Sequence, residues 1–332
     1  MSQELRSLVS SHGFVWIIAI IQKRRLGVLF SNFPVSVVWQ YAFILILPNV
    51  MNEKEEEPEL NALDSVRRRS YLVKNGIAPA SKFNLDELIP RNDDLRCIPN
   101  NFARSSLFTA RSKKEPRAVM MEKQLFHLGD NVVIKFSGIE LRTYDDELVW
   151  MQIIQYARSV PFGEPFVVSL TTLLKDLGWP RNAAYYDKAR SCITRLRANV
   201  IVVQNTAAYG TSGTVSLIQD FVSVNDNNGK PTTYSLSIHP NLIYLFAGNT
   251  FTNHRWAAYR SLSPIARRLA DYAESHREPF PLDVEAFKKM CDSSDNSARG
   301  WRANVAKACK EVQETGIVVS AKLVKSKIVF NK

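Results

Sequence analysis

The chain has 332 residues, of which 45% are hydrophobic and 10% aromatic, so it is long enough for two domains with buried cores. This composition excludes collagenous, disordered and disulfide-scaffold proteins. The 43 Lys and Arg residues exceed the 32 Asp and Glu residues, giving a formal net charge of +11. Such an excess is typical of proteins that bind nucleic acid or an anionic membrane surface, because neutralised phosphates release condensed counterions.

Residues 1–50 differ in character from the rest of the chain. No charged side chain occurs from Leu26 to Asn52, and Trp39–Leu47 is nearly all apolar, which is one mark of a transmembrane helix. Pro34 and several polar residues interrupt this stretch, and an ordinary polar start follows at Met51. The pattern therefore favours an optional extension over residues 1–50, with a membrane span as the alternative.

Residues 51–101 are predicted to form a flexible charged arm. The segment carries an acidic run at residues 53–59, then Arg67–Arg69, and then prolines at positions 79, 90 and 99. Such a composition buries too little apolar surface to offset the entropy of ordering. We expect folded structure to begin near Phe102.

The rest of the chain contains an internal repeat. Glu164-Pro165-Phe166 recurs as Glu278-Pro279-Phe280, and Ile201-Val202-Val203 recurs as Ile317-Val318-Val319. Between these markers the order of signals is the same: short strand, short helix, polar turn, longer helix, and a strand that starts a hairpin. A helix precedes each repeat, over about 145–158 in the first and 264–275 in the second.

This order is that of a winged helix-turn-helix. We therefore predict an α+β fold of two tandem winged-helix domains with short β-hairpin wings, over residues 102–250 and 251–332. Thr143 and Asp146 have capping-box spacing before the first leading helix, and Ser263 with Pro264 is predicted to start the second.

The third helix of the second repeat is the stronger candidate for DNA recognition. At about 100° per residue, Trp301, Val305, Ala308 and Val312 form one apolar stripe. The opposite arc contains alanines and basic residues without an acidic one, which favours insertion into the major groove over an ordinary solvated surface. The candidate DNA contacts on this arc are Arg299, Arg302, Lys307 and Lys310.

The third helix of the first repeat, over about 182–197, is the weaker candidate. Its predicted buried stripe is Tyr185, Ala189, Cys192, Ile193 and Leu196. Asp187 dilutes the positive charge of the opposite face, so this helix is predicted to position on phosphates more than to read bases, with a plain surface as the alternative. The candidate contacts on that face are Tyr186, Arg190, Thr194 and Arg197.

Two further basic segments are candidates for contacts with the DNA backbone. Lys322, Lys325 and Lys327 fall in the second predicted hairpin, where they resemble the charged wing of a winged helix. The stretch from Arg104 to Arg117 holds five basic residues and one acidic residue. For that stretch, an arm on DNA and a solvated segment fit equally well.

The sequence predicts no catalytic activity, no cofactor and no bound metal. The four cysteines lie far apart without a C-x-x-C pair, as expected of free thiols in a reducing compartment. The five histidines form no H-E-x-x-H motif, and Gly229-Lys230 lacks the upstream glycine of a P-loop. An acidic cluster assembled from distant Asp and Glu residues remains open as the alternative.

Five segments, in order, resemble the TrfA family of plasmid replication initiators over about Leu95 to Lys332. They are Asn101–Thr109, Tyr144–Trp150, Leu245–Gly248, Leu262–Pro264 and Ser275–Phe280. The resemblance implies a bacterial cytoplasmic protein that binds repeats (iterons) in double-stranded origin DNA, opens and contacts adjacent A·T-rich DNA, and recruits the host initiator and replicative helicase. It also implies two winged helices and a monomer–dimer equilibrium.

One feature of that family is not matched in this sequence. The family's motif for docking on the sliding clamp has its nearest counterpart in Asn84–Leu88, where Leu85 and Leu88 are present but the glutamine and the final aromatic residue are missing.

Because a recognition helix does not reveal which process its binding serves, a tandem winged-helix transcriptional repressor is the alternative function.

Overall fold

The computed structural model describes residues 83–332 except 130, 206–211, 226, 228, 230 and 248–249. These residues form a mixture of helices and strands. None of their helices combines the length and apolar character needed to cross a membrane. The predicted extension over residues 1–50 and the first part (51–82) of the predicted arm over residues 51–101 lie outside the described residues.

Folded structure begins earlier than the sequence indicated. Helix α1 (Leu85–Leu88) starts with a capping box between Asn84 and Glu87, and Leu85 and Leu88 are buried. Strand β1 (Leu95–Pro99) and helix α2 (Asn100–Ala103) follow. The predicted start near Phe102 is therefore wrong, since residues 83–101 belong to the fold. The nearest match to a clamp-docking motif is here part of the protein core.

A four-stranded antiparallel sheet follows in the chain. It contains β3 (Val119–Leu125), β4 (Val132–Ile139), β7 (Asn199–Asn205) and β8 (Ser212–Val215), in that order across the sheet. Two short strands, β2 (Phe108–Thr109) and β5 (Leu141–Arg142), pair with each other in parallel and form a separate two-stranded sheet. The predicted hairpin marker Ile201–Val203 falls in β7, which pairs with β4 and β8.

The first repeat continues through three helices and a three-stranded sheet. The helices are α3 (Asp146–Ala157), α4 (Leu170–Leu177) and α5 (Ala183–Arg197). Strand β6 (Phe166–Ser169) pairs with the hairpin of β9 (Asp220–Asn225) and β10 (Pro231–Ser237), in the order β6-β10-β9. The β7–β8 hairpin is inserted in the chain directly after α5, but it completes the four-stranded sheet. The hairpin that pairs with β6 is therefore β9–β10.

A connection leads from the first repeat to the second. It contains a 3-10 helix (Pro240–Leu245), strand β11 (Phe251–Arg255) and helix α6 (Trp256–Ser261). Strand β11 pairs antiparallel with β1 at the other end of the described chain. The predicted domain boundary at residue 250 remains a prediction.

Apart from the inserted β7–β8 hairpin, the second repeat has the same element order as the first. Its elements are α7 (Pro264–Glu274), β12 (Leu282–Asp283), α8 (Val284–Cys291), α9 (Ala298–Glu314), β13 (Ser320–Val324) and β14 (Lys327–Asn331). The sheet order β12-β14-β13 matches β6-β10-β9. In both repeats the turn before the long helix follows a residue in the left-handed region, Gly178 at φ 68° and Asp292 at φ 46°.

The leading helix of the first repeat begins differently from the prediction. Asp145 caps α3 through its side chain, which accepts from the backbone N–H of Asp146. The Thr143 hydroxyl instead donates to the buried carboxylate of Glu147, so the predicted capping box with Asp146 does not form. Ser263 does occupy the N-cap position of α7, although its side chain makes no capping hydrogen bond.

Buried charges join the leading helices of the two repeats. On α7, the fully buried Arg268 lies 3.1 Å from Glu147 of α3 and 2.6 Å from Asp271. Its neighbour Arg267 donates to the Thr143 carbonyl at 2.8 Å. Because breaking a buried ion pair leaves an uncompensated charge, these contacts resist separation of α3 from α7.

Candidate nucleic-acid interface

Helix α9 is anchored by one apolar stripe. Its buried residues are Trp301, Val305, Ala308, Cys309 and Val312. The indole of Trp301 lies 5.7 Å from the ring of Phe287 on α8 and donates to the Val284 carbonyl at 3.2 Å. At the N-terminus, the Ser297 side chain accepts from the Gly300 backbone N–H. The predicted stripe is confirmed, and it fixes the rotation of the helix about its axis.

The opposite face of α9 is exposed and basic. Arg299, Arg302, Lys307 and Lys310 all have exposed side chains, separated by the small residues Ala303 and Ala306. Lys310 lies 3.5 Å from Glu314 on the next turn. Such an exposed pair contributes little stability, so Lys310 remains available to a phosphate. This face combines positive charge with room for close approach of a nucleic acid.

The hairpin β13–β14 presents a second set of exposed cations. Lys322 pairs across the hairpin with Val329, and Val324 pairs with Lys327, so both lysines share one face of the sheet. Lys325 lies at the tip, with φ at 53°. All three lysines are exposed, whereas Ile328 on the other face is buried. The structure thus separates a packed face from a basic one.

The candidate contacts on α5 are more restrained than those on α9. Arg190 donates to the Pro231 carbonyl at 2.9 Å and pairs with Asp187 at 2.7 Å. The Tyr186 hydroxyl lies 2.9 Å from that of Thr171, and the Thr194 hydroxyl donates to the Arg190 carbonyl. Arg190 therefore braces α5 against the β9–β10 hairpin.

Two other residues of α5, one a candidate contact and one from the predicted buried stripe, differ in exposure. Arg197 is exposed near the end of the helix, on the same side as the other candidate contacts. Tyr185, which was predicted to be buried, is only half-buried and lies 5.8 Å from the ring of Trp179. The remaining predicted stripe, Ala189, Cys192, Ile193 and Leu196, is buried as expected.

A different flank of α5 carries basic residues that the sequence analysis missed. Lys188 places its ammonium group 4.0 Å from the ring centroid of Trp179 and 4.3 Å from that of Tyr144. Arg195 on the same flank lies 2.8 Å from Asp146. The partners Tyr144 and Asp146 lie far from α5 in sequence, so helical periodicity alone could not reveal this arrangement.

One buried acidic group in the described part of the chain has the spacing of metal ligands. Asp145, Asp146 and Cys192 place ligand atoms within 4.8 Å of one another. Both carboxylates are, however, paired with Arg117, at 2.8 Å and 2.7 Å. Burial and the neighbouring Asp145 raise the pKa of Asp146 to about 6, while Arg195 and Arg117 favour its charged form. The arginines already fulfil the neutralising role that a cation would have.

The four cysteines are buried in the fold, and His239 and His276 make local hydrogen bonds to the backbone. Cys97, Cys192, Cys291 and Cys309 are free and buried, and burial raises the pKa of Cys97 to about 11. Nδ1 of His239 accepts from the backbone N–H of Asn241 at the start of the 3-10 helix. His276 lies 2.8 Å from the Tyr272 carbonyl. Both histidines thus make local hydrogen bonds that support the backbone around them.

His254 occupies a buried position between two carboxylates. Its ring nitrogens face Asp271, at 2.9 Å, and Glu274. Burial alone would lower the pKa of His254, but the two carboxylates outweigh that effect and raise it to about 10. His254 is therefore a cation at neutral pH and part of the buried charge network of α7.

Comparisons with known proteins agree with the resemblance seen in the sequence. A family model described as TrfA protein matches residues 70–332. The plasmid replication initiator protein TrfA of Escherichia coli is 41% identical over 240 residues, which cover 72% of this chain and 62% of that protein. The matched region thus spans less than two thirds of the relative's length.

Two solved structures of RctB are similar over much of the chain. A crystal structure of selenomethionine derivatives of RctB domains 2 and 3 matches with a TM-score of 0.49 and 14% identity, covering 70% of this chain and 96% of that one. A structure of RctB domains 2–3 matches with a TM-score of 0.47 and 12% identity, covering 68% and 93%. The TrfA family model matches more than half of this chain, and the chain therefore belongs to the TrfA family.

Proposed function

We propose that this protein is a plasmid replication initiator that binds iteron repeats at a replication origin. The observation that carries the proposal is the exposed basic face of α9 in a chain that belongs to the TrfA family. That face holds four cations opposite a stripe anchored by Trp301. A helix of about 10–12 Å diameter fits a major groove of about 12 Å width.

We further propose that each repeat acts as a winged helix. The common order of helix, strand, two helices and hairpin supports this, as does the common sheet order β6-β10-β9 and β12-β14-β13. In such domains the third helix enters the major groove and the hairpin contacts the backbone. In this proposal α9 reads bases through Arg299 and Arg302, α5 positions on phosphates, and the lysines of β13–β14 bind the backbone.

The remaining steps belong to the same proposal. Once bound to its repeats, the initiator opens adjacent A·T-rich DNA, contacts the exposed single strand, and recruits the host initiator and replicative helicase. The chain acts as a monomer on iterons and is restrained by dimerisation in the bacterial cytoplasm. Neither a cofactor nor a covalent step is part of this mechanism. Docking on the sliding clamp through Leu85 and Leu88 is not included, since both side chains are buried.

Permanganate footprinting of the supercoiled cognate origin tests this function. Permanganate oxidises unpaired thymines, so thymines beside the repeats should become reactive when the purified protein is added. Arg302→Ala should reduce both repeat occupancy and opening, whereas Arg277→Ala, which removes an exposed arginine after α7, should leave both unchanged. Occupied repeats without any reactive thymine would instead identify a transcriptional repressor.

A further inference from the structure

An open cleft lies on the flank of α5 opposite to the proposed DNA contacts of that helix. Its volume is about 330 Å³. Lys188, Ser191 and Arg195 are spaced by three and four residues, so they share this flank of the helix. Across the cleft lie residues from two segments that precede α5 in sequence. The residues that matter for its chemistry are Lys113, Arg117, Tyr144, Lys188, Ser191 and Arg195.

The arginines of the cleft are neutralised by carboxylates of the protein. Arg117 lies 2.8 Å from Asp145, and Arg195 lies 2.8 Å from Asp146. The buried Arg142 lies 2.9 Å from Glu140 in the same way. Glu115, the other acidic residue on the rim, pairs with Arg111 at 2.9 Å. These contacts leave no excess charge on the arginines and carboxylates of the cleft.

The lysines of the cleft carry the uncompensated charge. Lys113 and Lys188 place their ammonium groups 5.5 Å and 4.3 Å from the ring centroid of Tyr144, and neither is ion-paired with a carboxylate that the structure describes. Trp179 lies 4.0 Å from the ammonium of Lys188. Aromatic rings attract a cation without neutralising it. The cleft thus holds two positive charges near one ring, beside the exposed hydroxyl of Ser191.

This arrangement matches the chemistry of a phosphate group. Ammonium groups are compact point charges that bind phosphate oxygens, and a hydroxyl adds one further donor. The rings hold the Lys188 side chain in place before any ligand arrives, which lowers the entropic cost of binding. We propose that Lys113, Lys188 and Ser191 seat a phosphodiester group of the DNA backbone on this flank of α5.

The DNA backbone is favoured over a free anion because of where the cleft lies. A helix inserted into a major groove fills most of its width, so a phosphate backbone borders the helix on each flank. The proposed contacts Arg190, Thr194 and Arg197 serve one flank of α5, and the cleft lies on the other. This inference rests on the proposed function, since it places α5 against duplex DNA.

Salt-dependent binding of the full chain to a fluorescein-labelled duplex of random sequence tests the cleft. Each lost phosphate contact should lower the magnitude of the log–log salt slope by about 1. Lys113→Gln and Lys188→Gln should each produce a decrease of this size. Lys135→Gln, which removes an exposed lysine of β4 outside the cleft, should leave the slope unchanged.

A second pair of variants separates the cleft from any change in folding. Ser191 is exposed, so Ser191→Asp should keep the melting temperature while its charge repels a phosphate and weakens duplex binding several-fold. Ser191→Asn provides the neutral control and should bind nearly as the original chain does. Normal duplex binding by Ser191→Asp and unchanged slopes for both lysine variants would overturn the assignment.

Calorimetric titration with inorganic phosphate distinguishes the two sources of the anion. Phosphate binding that the lysine variants abolish, together with an unchanged duplex slope, would show a site for a free anion and overturn the backbone assignment. Failure of the unaltered chain to bind duplex in a salt-dependent manner would overturn the proposed function itself. Normal binding by that chain with unaffected variants would overturn the cleft alone.

Discussion

Replacing Arg302 by alanine should separate DNA reading from folding. Arg302 is exposed on α9, next to the buried Trp301. It has no ion-pair partner among the carboxylates that the structure describes, so its removal leaves no buried group unpaired. Alanine is also the residue best suited to a helix. The free energy of unfolding should therefore change by no more than about 0.5 kcal/mol.

The effect on binding should be much larger than the effect on stability. A bidentate arginine contact to a base contributes about 1–3 kcal/mol to discrimination, which corresponds to a roughly 5- to 160-fold increase in Kd for the cognate repeat. Binding to random duplex should change far less. Arg277→Ala removes an exposed arginine that belongs neither to α9 nor to the β13–β14 hairpin and should alter neither Kd.

Two further variants serve as references in the same assay, one for a phosphate contact and one for a buried core residue. Lys325→Ala, at the tip of the β13–β14 hairpin, should weaken binding to cognate and random duplexes alike, because a phosphate contact carries no sequence information. Trp301→Ala should lower the free energy of unfolding by about 3–5 kcal/mol through loss of a buried indole.

Fluorescence anisotropy with both duplexes and a melting curve for each variant are sufficient for this comparison. If Arg302→Ala binds the cognate repeat normally with an unchanged melting temperature, α9 does not read bases through this residue. The argument from its exposed basic face would then be refuted, and Arg190 and Arg197 of α5 would become the better candidates.

Four further predictions concern salt, pH and stability. Duplex binding by the unaltered chain should show a log–log salt slope of about −5 to −9, as expected for roughly 6–10 phosphate contacts, and a slope near zero would exclude nucleic acid as the partner. Because the pKa of His254 is raised to about 10, its stabilising contribution is complete below pH 6.5 and is lost as pH rises through about 10; His254→Asn should flatten that fall in melting temperature. Arg268→Met should destabilise the fold by about 3–5 kcal/mol because Glu147 and Asp271 both lose their buried arginine partner, with partial recovery on adding Glu147→Gln, as measured by urea unfolding. Leu85→Ala should lower the free energy of unfolding by about 2–5 kcal/mol, whereas a clamp-docking peptide outside the core would tolerate the change.

Helical periodicity was sufficient to predict the orientation of α9. The spacing of Trp301, Val305, Ala308 and Val312 determines which side of an isolated helix is apolar, and the structure buries that side. The bounds of α3 and α7 were predictable from similar local signals, including the proline at the start of α7. These features depend on neighbours along the chain, so a single sequence contains them.

Features that depend on distant partners were not predictable in this way. The local sequence of β7 is compatible with a hairpin strand in either the three-stranded or the four-stranded sheet. Only its pairing with the distant strand β4 places it in the four-stranded sheet. Asn84–Leu88 looks polar because Asp86 and Glu87 dominate it, yet Leu85 and Leu88 pack into the core. The cleft beside α5 forms only when Lys113 and Tyr144 come together with Lys188.

Lysine acetylation footprinting tests most directly the claim that α9 and the β13–β14 hairpin face DNA. The full chain is treated with an acetylating reagent, with and without cognate duplex, and modification is quantified by mass spectrometry. The account predicts that duplex protects Lys307, Lys322 and Lys325, which are exposed in the free protein, while Lys135 on β4 reacts at an unchanged rate. Equal modification of the α9 and hairpin lysines with and without bound duplex would contradict it.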